Sequence, residues 1–298
     1  MVRTTDGLAG VEFVAMNTDE QALSSSLAAV RLPLGHGCTA GLGAGGKPAV
    51  GRAAADESRQ AIAAALSGAD LVFVTAGMGG GTGTGAAPVV ADVARQMGIL
   101  TVSVVTRPFE FEGRQRAAQA DAGIAELADC SDSLLVVAND RLLDIVPHRM
   151  TMTDAFLVAD DILRQGVIGT SEIIVRPGMI NVDFADVTAV VRGSGTALIG
   201  IGTGTGRSRA VDAAVGAICS PLLDFPIQEA RGVVFNIVGG PDMTLAEVNA
   251  AAKIVQESVD DDANIIVGAR VDPRCGDRVS VTVLATGFPG RSRKGGGG

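Results

Sequence analysis

The chain has 298 residues, 47% of them hydrophobic and 19% charged, with a formal net charge of −9. That composition is one of an ordered globular protein with room for two packed domains, and the acidic balance argues against a nucleic-acid or anionic-membrane surface. No apolar run approaches the ~18 residues of a membrane-spanning helix; Cys38, Cys130, Cys219 and Cys275 form no C-x-x-C pair, which argues against a zinc site or a disulfide framework.

In chain order, residues 11–15 read as a short strand, with Asn17-Thr18-Asp19 after it as a turn and helix cap. Residues 35–46 are dense in glycine, the composition of a mobile surface loop or of a loop that approaches a phosphate. An Ala-rich helix is expected over residues 53–66, and the continuous apolar run at 71–74 reads as a buried strand. Next comes Gly77-Met78-Gly79-Gly80-Gly81-Thr82-Gly83-Thr84-Gly85-Ala86-Ala87-Pro88, followed over residues 89–97 by the apolar spacing of an amphipathic helix. Strand, glycine turn and helix aim backbone N–H groups and a helix N-terminus at an anion. The glycines let a phosphate approach the backbone, and the threonines add hydroxyl donors.

Two familiar phosphate loops fit this run poorly. A P-loop ends in Lys followed by Ser or Thr, and no lysine occurs from 77 to 88. The dinucleotide fingerprint is formally present at Gly81, Gly83 and Ala86, but it expects an acid at the end of the next strand. That strand, residues 99–105, runs into Thr106-Arg107-Pro108. A Rossmann-type NADP oxidoreductase is therefore the weaker alternative.

Further along, Glu112 and Arg116 stand four residues apart at the start of a helix, the spacing of an ordinary surface pair. Residues 134–138 form another buried strand ending at Asn139, which either caps the next helix or reads a purine edge. An amphipathic helix from 154 to about 167 places Phe156 and Asp160 on one face. Asn181, Asp183 and Asp186 lie at a helix start, with Asp183 as cap and Asp186 three residues later. Strands are expected at 197–201, 232–238, 264–269 and 278–285, and helices at 208–218 and 245–259. Within that segment Gly202-Thr203-Gly204-Thr205-Gly206-Arg207 nearly repeats the first glycine motif, with Arg207 and Arg209 available to an anion. Residues 287–298 are basic and Gly-rich, a disordered composition.

GGGTGTG, residues 79–85, is the signature of the tubulin/FtsZ superfamily of GTPases. The resemblance extends well past it: MNTDEQAL, GLGAGGKPAVGR, RPFEFEGRQR, LVVANDRLL, NVDFADV, SPLLD and VTVLATGF all resemble FtsZ segments and occur in the FtsZ order, from about residue 11 to 288. The fold class this implies is α/β: a tubulin/FtsZ-type Rossmann-like GTPase domain with a parallel sheet, a central helix and a smaller α+β C-terminal domain. The expected divisions are residues 1–150 for nucleotide binding, 151–193 for the central helix and catalytic loop, 194–288 for the C-terminal domain, and a tail from 289 to 298.

The resemblance also implies roles. GTP or GDP would lie on Gly79, Gly80, Gly81, Thr82, Gly83 and Thr84, with residues 41–45 as a second phosphate-facing loop and Mg²⁺ held through phosphates and water. Glu112 would accept from a ribose hydroxyl, Arg116 would contact ribose or phosphate, and Asn139 would contact the base. Phe156 would stack on the base, and the Asp160 carboxylate would accept from the N1–H and exocyclic amine of guanine, donors that adenine's edge lacks. Asn181, Asp183 and Asp186 would enter the neighbouring subunit's site and orient the attacking water. Residues 202–207 correspond to a surface connection in the family.

The expected protein is a division-ring GTPase that assembles head to tail with itself, in possible company with a paralogous subunit and anchoring proteins, with no nucleic acid and no direct membrane insertion. A low-turnover scaffold paralogue is the other alternative. Residues 1–10 match neither the family's first strand nor its first phosphate loop, so a partial sequence with exposed strand edges and weak nucleotide affinity is expected. Residues 159–167 and 244–255 resemble plastid and cyanobacterial members, which points to the plastid stroma, with a bacterial cytoplasm as the alternative.

Overall fold

In the computed structural model, residues 11–143, 184–220 and 226–288 are described, together with positions 151, 154, 157, 158, 164, 167 and 223. The chain forms two compact units, residues 1–164 and 165–298.

In the first unit the elements run β1 (Val14–Asn17), α1 (Glu20–Ser24), β2 (Val30–Pro33), α2 (His36–Thr39), α3 (Pro48–Glu57), α4 (Arg59–Leu66), β3 (Leu71–Gly77), α5 (Gly81–Gln96), β4 (Leu100–Arg107), α6 (Arg114–Cys130), β5 (Ser133–Ala138) and α7 (Asn139–Leu143). β3, β4 and β5 are parallel neighbours, with Leu71 opposite Leu100 and Val102 opposite Ser133. β4 is buried along all but its last residue, its Thr101 and Ser103 included, as a parallel strand covered on both faces requires. β3 is half-buried at the edge of this group. β1 and β2 pair in parallel as a separate two-stranded sheet. Val74, Met78, Val89, Val105, Leu127 and Leu134 share one apolar core with α3 and α4 residues such as Ala54, Ala55 and Ile62. Burial stabilises each of the larger side chains by about 1.5–3 kcal/mol.

Three expectations are corrected here. β1 starts at Val14, not at 11, because its register is set by pairing with β2 through Pro33. The helix expected over 53–66 is two helices: α3 starts early, on Pro48 at a position where the ring's fixed φ suits a first turn. The chain then breaks at Ser58, whose hydroxyl accepts the Gly35 N–H at 2.9 Å. The helix after the glycine run begins at Gly81, eight residues before the expected Val89.

The second unit contains α8 (Phe184–Val191), β6 (Gly195–Gly204), α9 (Arg209–Ile218), β7 (Gly232–Gly239), α10 (Leu245–Glu257), β8 (Asn264–Val271) and β9 (Val279–Thr286). β9 is antiparallel to both β6 and β7, and β7 is parallel to β8. All four strands expected from the sequence are present; the first three run longer than expected, and the fourth is shifted by one residue. Val233, Phe235, Ile237, Val281 and Val283 are fully buried against α9 and α10. Thr244 caps α10 by accepting from Glu247 N–H, while Glu247 accepts from Thr244 N–H at 2.8 Å, a reciprocal capping box.

The second glycine motif has a packing role. A Cβ on Gly200, Gly202 or Gly204 would run into the backbone oxygen of Ala217, Ala213 or Arg209 respectively, so alternate β6 glycines seat α9 against the strand. Arg209 does not wait for an anion. Its guanidinium is paired with Asp242 at 2.8 Å and Glu247 at 2.7 Å, and donates to the Asp277 carbonyl at 3.1 Å. Among the described residues no helix is long and apolar enough to cross a membrane.

Candidate nucleotide site

Gly77 ends β3, and the chain turns through Met78 and Gly79 into α5 with Gly80 as its N-cap. Glycine cannot cap with a side chain, so the N–H groups of Gly80, Gly81, Thr82 and Gly83 have no acceptor within the helix. With the helix dipole behind them, they form a cluster of donors suited to an anion. Gly79 and Thr84, both expected at the phosphates, hold each other: the Gly79 N–H donates to Thr84 Oγ1 at 2.8 Å, and Thr84 is buried. Their bond fixes the turn that presents the four free amides.

The glycines do different work from that expected. Gly79 has φ +95°, which L side chains rarely adopt, and a Cβ there would lie 2.9 Å from the Arg116 carbonyl oxygen. A Cβ on Gly81 would lie 2.7 Å from Ala44 Cβ and 2.9 Å from Lys47 N. Gly83 is blocked by the Gly77 carbonyl, and Gly85 by Pro48 and Arg52 backbone. Gly51 on α3 meets the Gly81 carbonyl in the same way. These residues let α3 and α5 start side by side with their positive ends together. Gly80 alone in the 79–85 run has nothing within 4 Å of its Cβ position. The open face of the loop is at Gly80.

The second glycine loop lies against the first through the turn at Asn17-Thr18-Asp19. Gly43 N–H donates to Thr18 O and Glu20 N–H to Gly41 O, both at 3.0 Å. Gly41, Gly43, Gly45 and Gly46 all have positive φ, and Gly45 and Gly46 have open space at their Cβ positions. Thr18, absent from the residues singled out in the sequence, bonds Thr82 through their hydroxyls at 2.6 Å. Its signals were membership of a capping turn and of the FtsZ-like segment MNTDEQAL.

Glu112 and Arg116 form their i,i+4 ion pair at 2.9 Å, with Arg116 half exposed and Glu112 largely covered. Glu112 Oε1 also accepts the Phe109 N–H at 3.0 Å. The Arg116 backbone packs on Gly79, which brings this helix start beside the first glycine loop. The same turn reaches the end of β5, since Glu110 N–H donates to Asp140 Oδ1 at 3.1 Å. Asn139 beside it is buried, and its Oδ1 is without a hydrogen-bond partner. An orphaned buried carbonyl costs about 1–3 kcal/mol, and a donor on a bound base would satisfy it. Glycine loops, Glu112, Arg116 and Asn139 are thus gathered at the C-terminal ends of β3, β4 and β5, where open α/β sheets bind ligands.

Phe156, Asp160, Asn181 and Asp183 lie outside the described residues. Asp154 is helical, and Thr151 Oγ1 accepts its N–H at 3.2 Å and donates to its Oδ2 at 2.7 Å. In the second unit Asp186 falls in the first turn of α8. Among the described residues no cluster of three or more His, Cys, Asp or Glu is placed to hold a metal ion.

Residues 6–147 match the GTPase domain of the Tubulin/FtsZ family, and residues 195–289 match the C-terminal domain of the FtsZ family. Among solved structures, the chain is similar to the empty FtsZ dimer of M. jannaschii, with 44% identity, a TM-score of 0.91, and 94% of this chain and 82% of that one covered. A point mutant of FtsZ from M. jannaschii matches at 44% identity and a TM-score of 0.90, covering 94% and 84%. CetZ2 from Haloferax volcanii, solved as a GTPγS-bound protofilament, shares the fold at 23% identity and a TM-score of 0.77, covering 94% and 85%.

Proposed function

Because the chain belongs to the tubulin/FtsZ family of GTPases, we propose that it binds GTP at the start of α5, assembles head to tail with copies of itself, and hydrolyses GTP where two subunits meet. The observation that carries this is the start of α5 inside the glycine run, with four unpartnered amides beside a second glycine loop. Phosphoryl transfer asks the protein mainly for positioning and electrostatic stabilisation. Amides of residues 80–83 hold phosphate oxygens, Arg116 adds positive charge, and Asn139 and Glu112 fix base and ribose. Phe156 and Asp160 select guanine.

Chemistry requires a water in line with the bond to be broken. Asn181, Asp183 and Asp186, supplied by the next subunit, hold that water, and one of the two carboxylates draws off its proton as its oxygen joins the γ-phosphorus and the bond to the β-phosphate oxygen breaks. Mg²⁺ held through phosphate oxygens and water would offset the phosphate charge. The M. jannaschii FtsZ dimer and the CetZ2 protofilament favour a filament-forming subunit. We place that filament in a division ring, in a plastid or a bacterial cell.

The test is a split between binding and chemistry. Asp183→Ala should keep GTP affinity and lower hydrolysis by about 10²–10⁴-fold, the usual contribution of a positioned base. Lost binding would contradict its role.

A further inference from the structure

Thr18 is 1% exposed, in the turn between β1 and α1, and it touches both glycine segments. Its carbonyl oxygen accepts from Gly43 N–H at 3.0 Å and from the Thr39 hydroxyl at 3.4 Å. Asp19, next to it, bridges to Leu42. The backbone of this turn therefore holds the loop at residues 41–43, while the Thr18 side chain reaches 64 residues along the chain to Thr82 Oγ1.

Thr82 is the second residue of α5, among the amides that lack helical acceptors. A threonine in a helix ordinarily divides between two rotamers, one of which turns its hydroxyl back on the preceding turn. The contact with Thr18 selects one. It also orders protons, because a hydroxyl has one hydrogen and two lone pairs, whereas phosphate oxygens accept. If the Thr82 proton points to a phosphate, the proton in the 2.6 Å contact must come from Thr18. We propose that Thr18 is a positioning residue for the nucleotide phosphates: it donates to Thr82, aims the Thr82 hydroxyl at the anion, and keeps the two glycine loops in register. This rests on the GTP-binding reading of the α5 N-terminus.

The test uses the full-length protein and titrates GDP and GTP into wild type, Thr18→Val, Thr18→Ser, Thr82→Val and the Val/Val double variant, with thermal unfolding of each nucleotide-free protein alongside. Thr18→Val should weaken binding about tenfold, as for a lost hydrogen bond to a charged ligand. Thr18→Ser should restore it, and the double variant should bind no worse than Thr82→Val. Wild-type affinity in Thr18→Val, additive losses in the double variant, or failure of Ser to rescue would each overturn the role of Thr18. If Thr18→Val does not fold, Thr18→Ala completes the same cycle. A wild type that binds neither nucleotide would instead overturn the reading beneath it.

Discussion

Gly80 and Gly81 are neighbours with opposite constraints, and alanine at each should separate binding from folding. A methyl on Gly81 would stand 2.7 Å from Ala44 Cβ, about 1 Å inside the ~3.5–4.0 Å at which carbon atoms pack well. It would also lie 2.9 Å from Lys47 N. Neither neighbour can rotate away, since one is a methyl on the backbone and the other is backbone. Overpacking of this kind costs ~1–3 kcal/mol, and the rigid surroundings argue for the upper end. At roughly 2–4 °C per kcal/mol for a domain of this size, the first unit should melt about 6–12 °C lower. Gly80 has φ −94° and ψ −179°, a backbone that any residue adopts, and open space around it. Its alanine variant loses a preferred cap residue but narrows the unfolded ensemble, opposing effects that leave stability within about 1 kcal/mol. The Gly80 methyl nevertheless stands where a phosphate meets the free amides, so nucleotide affinity should fall about tenfold or more, by the same ~1–3 kcal/mol of crowding. Scanning calorimetry and isothermal titration measure the two effects. Equal melting of both variants, or wild-type nucleotide affinity in Gly80→Ala, would refute the division of labour within the loop.

Arg116→Ala should cost the fold only ~0.3–0.5 kcal/mol, since its pair with Glu112 is half exposed, yet weaken nucleotide binding about tenfold; unchanged affinity in a titration would remove Arg116 from the site. Gly204→Ala drives a methyl into the Arg209 carbonyl and should destabilise the second unit by ~1–3 kcal/mol without touching nucleotide affinity. An affinity change at constant melting temperature would return an anion to that motif. Hydrogen bonds from Arg209 and from the Thr244 backbone hold Glu247 down from 4.5 to about 2, and Arg274 holds Asp272 well below the carboxylate range. Both groups are depressed in the folded state, so their contribution is complete above the unfolded value and fades as pH falls through the folded one. Denaturant melts of the second unit should therefore weaken between about pH 4.5 and 2, and Glu247→Gln should flatten that slope.

Strands built from Val, Ile and Leu were legible where burial leaves an apolar run, as at residues 71–74 and 134–138, or where apolar residues alternate with small hydroxyls, as in β9. Helix starts were legible to within a residue at α9 and α10, but not at α3 and α5. Glycine disfavours helix by about 1 kcal/mol per residue, so the sequence placed the start of α5 after the glycines. Packing overrides that cost: Gly51, Gly81 and Gly85 allow α3 and α5 to touch through their backbones. The break at Ser58 depends on a hydrogen bond to Gly35, which no periodicity announces. The site was legible where a motif names its chemistry, as at residues 79–85, and illegible where a role depends on distant partners. Thr18 looked like a capping residue, and Gly202 and Gly204 looked like a near repeat of the first glycine motif. In each case the deciding atoms lie on another element: Thr82 for the one, Ala213 and Arg209 for the other.

The central claim is that a single subunit carries half of a catalytic site. GTP turnover per subunit, measured on the full-length protein across a range of concentrations, tests it most directly. Turnover should be near zero when subunits are dilute and rise as filaments form; a per-subunit rate independent of concentration would contradict it.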